Sequence, residues 1–87
     1  MDITSTPIVY SLPNCPQCDQ TKRLFKTNGI EFKEVDISKD DEKRAQFRNR
    51  GIRSAPVVEF GLDWWSGFKQ DKIQAVIDAF SLNQATV

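Results

Sequence analysis

Two cysteines three positions apart, in Cys15-Pro16-Gln17-Cys18, constrain this chain more than any other feature. They are its only cysteines, and they follow a short apolar run, Ile8-Val9-Tyr10, at the opening of a helix-like segment. Residues three apart on a helix share a face. With Cys15 at the helix start, its sulfur lies against unpaired backbone N–H groups and the positive end of the dipole. That setting favours the thiolate, the form that attacks disulfides. Pro16 suits the first helical turn, where no N–H partner is lost and φ is already set. Cys18, one turn on, is placed to close a small ring onto Cys15. The residues read as a dithiol–disulfide exchanger.

Other readings compete. A structural zinc site needs about four nitrogen or sulfur ligands. The chain has no histidine and no third cysteine, so only a two-chain site pooling both cysteine pairs, around zinc or an iron–sulfur cluster, remains open. A purely structural disulfide would close a very short loop, where the entropic gain is small. Two inert core thiols would not call for a proline at a helix start.

At 87 residues the chain reads as one small domain with a modest core in two or three layers. Lys+Arg 12 balances Asp+Glu 12, so charge gives no argument for nucleic acid or an anionic membrane surface. Met1 to Asn14 lacks a basic start followed by a long apolar stretch, and no segment approaches the roughly 18 apolar residues of a membrane span. The expectation is a cytoplasmic monomer, in a compartment where C-x-x-C pairs are usually catalytic. Asn83 to Val87 reads as a frayed tail, leaving residues 1–82 as the domain.

The pattern along the chain predicts seven elements. Ile8 to Ser11 is a first strand; the cysteine helix runs to about Asn28, with Gly29 as its stop. Glu31 to Ile37 is a second strand, charged enough for a sheet edge, with Phe32 the strongest strand former in its first half. Strand, helix and strand of this length make a βαβ unit with parallel strands. Ser38 as N-cap and Asp41 in the first turn open a second helix ended by Gly51, with Ala45 and Phe47 nearly its only apolar residues. Val57 to Phe60 is a third strand, and Gly61-Leu62-Asp63 turns into a fourth around Trp64 to Gly67. Ile73, Val76, Ile77 and Phe80 form the apolar stripe of a last helix.

The order β-α-β-α-β-β-α, with C-x-x-C opening the first helix, matches a minimal thioredoxin/glutaredoxin fold: a four-stranded mixed sheet flanked by three helices. The cysteine motif, Ala55-Pro56 ahead of a strand, and Trp65-Ser66-Gly67-Phe68 with Asp71 resemble the NrdH-type redoxins. These are small glutaredoxin-like proteins that donate electrons to ribonucleotide reductase. The resemblance covers about Ile8 to Phe80. It implies that Pro56 is cis and faces the cysteines, presenting the Ala55 backbone to an incoming extended chain. It also assigns Pro16, Gln17, Trp65, Ser66, Gly67 and Phe68 to the partner-binding surface. Trp64 and Trp65, adjacent on a strand, must point to opposite faces. Asp71 is expected to open the last helix.

Departures from neighbouring families narrow the reading. Glutathione-binding glutaredoxins typically carry a basic residue before the motif, a tyrosine within it and a Gly-Gly pair later. Here Ser11 to Asn14 is uncharged, Gln17 replaces the tyrosine and Phe68 replaces the second glycine. The nearest cations in sequence are Lys22 and Lys69, neither an evident carboxylate anchor. Thioredoxins proper carry a buried acid on the strand before the motif, and Ile8-Val9-Tyr10-Ser11 offers none. The implied protein binds no cofactor, takes electrons from NADPH indirectly through thioredoxin reductase, and passes them to ribonucleotide reductase or another protein disulfide. A glutathione-dependent glutaredoxin is the alternative. Trp65→Ala is expected to weaken partner binding with little change in fold.

Overall fold

The computed structural model describes the backbone of residues 6–85. Its elements follow the expected order: β1 (Ile8–Ser11), α1 (Pro16–Thr27), β2 (Lys33–Asp36), α2 (Asp41–Asn49), β3 (Val57–Phe60), β4 (Asp63–Ser66) and α3 (Gln70–Ala85). The four strands lie in the order β2-β1-β3-β4. β1 pairs with β2 in parallel and with β3 antiparallel, and β3 and β4 form an antiparallel hairpin around Gly61-Leu62. The mixed thioredoxin-like sheet with its three helices is present as expected.

Strand alternation sorts the core into two layers. Val9, Val58 and Trp65 turn to one face and pack with Phe25 of α1 and Ile73 and Val76 of α3. Tyr10 and Val57 turn to the other and pack with Phe47 of α2, Ile37 and Ile52. Of the expected α3 stripe, Ile73 and Val76 are buried, while Ile77 and Phe80 cover the rim of the first layer. Phe47 is the one buried side chain of α2, and the Tyr10 ring meets it edge-on at 5.2 Å.

Several boundaries differ from expectation; β4, for one, spans Asp63–Ser66 rather than Trp64 to Gly67, because Asp63 pairs with Phe60 in the hairpin. β2 is four residues, not seven, because β1 offers only four partners, in the register Ile8↔Lys33 to Ser11↔Asp36. Phe32 therefore precedes the strand and packs against the first core layer, its ring 5.7 Å from Phe25. The N-cap of α2 is Asp40, not Ser38: its carboxylate accepts from the Lys43 amide at 3.0 Å, whereas the Ser38 amide donates to Asp36 at 2.8 Å. Helix α3 starts at Gln70, leaving Asp71 in its first turn, where its charge suits the dipole. The same helix continues through Ala85, past the expected tail start at Asn83; residues 86 and 87 lie outside the described residues.

The β2 edge is tied to α1 by one ionic cluster. Lys22 donates to Glu34 at 2.7 Å, and the buried Ser11 hydroxyl donates to the same carboxylate at 3.0 Å. The Lys22 hydrogen bond, helped by Ser11, holds the Glu34 carboxyl below its ordinary 4.5. A lowered folded-state pKa gives stability that is present above the ordinary value and lost as pH falls through the lower one. Because the Glu34 side chain is 46% exposed, its ion pair is worth less than about 1 kcal/mol. Glu34→Gln is thus expected to cost less than about 1 kcal/mol in urea unfolding at neutral pH, with the gap closing below about pH 4. An undiminished gap at pH 3 would mean that packing, not charge, is responsible.

Candidate active site

The end of β1, the start of α1, the start of β3 and the end of β4 meet at one edge of the sheet. Asn14, at φ 56°, turns the chain so that Cys15 becomes the N-cap of α1 in extended conformation, with Pro16 at the first helical position. The Cys18 amide donates to Cys15 Sγ at 3.1 Å. The helix N-terminus is therefore aimed at the sulfur, the arrangement that favours a thiolate once the pair is reduced. Cys15 and Cys18 are joined as a disulfide with their Cα atoms 5.2 Å apart. Cys15 is half-buried and Cys18 is 0% exposed. That asymmetry leaves Cys15, and not Cys18, within reach of an approaching sulfur.

The Ala55–Pro56 peptide is cis, as the resemblance implied. Cys15 Sγ lies 3.9 Å from the Ala55 carbonyl oxygen. The disulfide sulfur has no proton to donate, so this is proximity rather than a bond. Pro56 is buried, and its carbonyl accepts from the Gly67 amide at 2.7 Å, fastening the residue after β4 beside the start of β3. Gly67 has φ +82°, a left-handed conformation that a side chain would strain. A Cβ there would meet Gln17 Oε1 at 3.8 Å and Ser54 Oγ at 3.9 Å. Cys15, Gln17, Ala55, Pro56 and Gly67 are thus brought together, with Ser66 half-buried beside them.

Trp65 does not join them at the surface. It is 3% exposed and lies in the first core layer, because register pairs it with Val58, which faces α1 and α3. Phe68 is partly buried and also packs against that layer. The exposed tryptophan is Trp64, at 40%, on the α2 side with the Arg50 guanidinium 4.8 Å above its ring. The expectation of an aromatic partner surface at Trp65 is corrected: strand parity puts that ring inside.

Sequence order also hid the cations of this edge. Lys22 is engaged by Glu34 and Asp19. A groove of about 540 Å³ nevertheless reaches Ala55, and Arg44, Arg48 and Arg53 line it. The i, i+4 spacing of Arg44 and Arg48 beside Phe47 was the one available signal, a basic stripe flanking the buried face of α2. Among the described residues no group of three or more metal-ligating side chains forms, and no helix is long and apolar enough to cross a membrane.

A glutaredoxin family profile matches residues 8–64. The chain belongs to the glutaredoxin family. The glutaredoxin-like protein NrdH of Salmonella typhimurium is 38% identical over 65 residues, 75% of this chain and 80% of that protein. The solved NrdH-redoxin of Escherichia coli, a glutaredoxin-like protein with a thioredoxin-like activity profile, superposes with a TM-score of 0.77 at 32% identity, covering 82% of this chain and 93% of that one. A glutaredoxin from Archaeoglobus fulgidus superposes at 0.68 with 28% identity, covering 85% and 87%. This chain is an NrdH-type redoxin, and its cysteine pair has a thiol–disulfide redox role.

Proposed function

We propose that this redoxin is a dithiol electron carrier that reduces protein disulfides, foremost that of ribonucleotide reductase, and is recharged by NADPH through thioredoxin reductase. The burial difference between Cys15 and Cys18 carries the mechanism. The Cys15 thiolate attacks one sulfur of the recipient disulfide, and the other sulfur leaves as a thiolate that takes up a proton. Cys18 then loses its proton and attacks Cys15 Sγ, releasing the second recipient thiol and closing the Cys15–Cys18 disulfide. Two electrons and two protons pass to the recipient. The Ala55 backbone, 3.9 Å from the nucleophile, offers strand-like hydrogen bonds to the recipient chain. Gln17 and Gly67 lie close to one another beside it, with Ser66 and Phe68 flanking Gly67 in the chain. The cycle needs no resident cofactor and suits a cytoplasmic monomer.

Thioredoxin reductase is favoured as recycler because Gln17 stands in place of a tyrosine and Phe68 in place of a second glycine. The thioredoxin-like profile of the E. coli relative points the same way. Arg44, Arg48 and Arg53 favour a second reading, since guanidiniums near Ala55 could hold the carboxylates of glutathione. Oxidised protein should be reduced rapidly by NADPH with thioredoxin reductase and slowly by glutathione with glutathione reductase. Faster reduction by glutathione would replace the first reading with the second.

A further inference from the structure

The groove beside Ala55 has an unbalanced wall. The whole chain carries equal numbers of acidic and basic side chains, yet the groove is lined by three arginines and no carboxylate. Its floor is apolar, formed by Phe47, Ile52 and neighbours of the second core layer, and Leu12, 36% exposed, stands on its wall. Arg48 and Arg53 are exposed and make no salt bridge among the described residues. Arg44 pairs with Asp41, a side chain 90% exposed and outside the lining, while Arg44 Nε is shielded and has no partner among the described residues. The second core layer explains the apolar floor, but no contact within the fold accounts for the basic rim.

We infer that this groove binds an acidic, extended segment of the recipient protein next to its disulfide, so that Arg44, Arg48 and Arg53 select which protein disulfides are reduced. The inference rests on the carrier reading above and adds the chemistry of the recipient. Continuity with the nucleophile supports it, because Ala55 both lines the groove and lies against Cys15 Sγ. Spacing supports it too. Arg44 and Arg48 are one helical turn apart, about 6 Å, and alternate side chains of an extended strand recur at about 6.6 Å. Three cations also exceed the two carboxylates of one glutathione, and an apolar side chain between acids would meet the floor.

The test separates this inference from the recycling question by using protein reduced beforehand and freed of reductant. Single-turnover rates are compared for three disulfide peptides sharing one cysteine frame, flanked by glutamates, by lysines or by neutral residues. The unaltered protein is expected to favour the glutamate peptide over the lysine peptide by about tenfold at low salt, from three exposed ion pairs. The ratio should shrink as salt rises. The R48E/R53E double variant, checked for an unchanged melt, should reverse it. Equal rates for the two charged peptides, or a preference that survives R48E/R53E, overturns the inference. So does a variant that loses only glutathione-driven reduction, since the carboxylates would then be those of glutathione. Reduction of no peptide at all would remove the carrier reading and this inference with it.

Discussion

Serine at position 18 is expected to stop the carrier halfway and leave it covalently attached to its recipient. With Cys18→Ser, Cys15 still attacks, but no second sulfur remains to expel the recipient. Turnover of protein disulfides should fall to background, and a mixed disulfide through Cys15 should accumulate that dithiothreitol releases. Cys15→Ser should be equally inactive yet form no adduct, because Cys18 is 0% exposed and out of a partner's reach. Non-reducing electrophoresis with peptide mapping distinguishes the two. Burying a hydroxyl in place of the thiol adds a cost of about 1–3 kcal/mol if it finds no partner, so Cys18→Ala serves as a second trap without it. Continued turnover by both position-18 variants would rule out the two-cysteine mechanism.

Trp65→Ala is expected to damage the fold rather than a docking surface. The ring is 3% exposed and packs in the layer that joins the sheet to α1 and α3. Truncating a core tryptophan to alanine costs roughly 3–5 kcal/mol, a fifth or more of a typical small-domain stability of about 5–15 kcal/mol. For a domain of this size that is a fall in Tm on the order of 20 °C. Trp65→Phe should cost much less, since it keeps most of the apolar volume and removes an indole N–H that has no partner among the described residues. Calorimetry on the two variants decides it. A Trp65→Ala protein that melts like the unaltered chain but binds its partners poorly would restore the surface role.

Much of the architecture was legible because its signals are local. Two strands, β1 and β3, were read to the residue, since each is a short apolar or β-branched run bounded by proline or glycine. The cysteine helix was equally clear, with Pro16 inside its start and Gly29 beyond its end. Where boundaries moved, a non-local partner moved them. Four residues of β1 limited β2 to four, and the Asp40 carboxylate, not Ser38, reached the Lys43 amide.

The active-site chemistry was determined by the sequence alone. Two cysteines at helical spacing, with proline between them and neither a histidine nor a third cysteine in the chain, point to disulfide exchange ahead of a metal site. The tertiary structure decided everything that depends on which face a side chain takes or which distant segment lies beside it. Alternation says that Trp64 and Trp65 point apart, but only the pairing of Trp65 with Val58 shows which ring is inside. Residues 44 to 53 are remote in sequence from the cysteine motif, yet α2 and the loop after it bring three guanidiniums to a groove that ends at Ala55. Side-chain direction in a strand follows register, and register is settled by burial across the whole sheet. For that reason the redox motif could be read from four residues, while its surroundings required the folded chain.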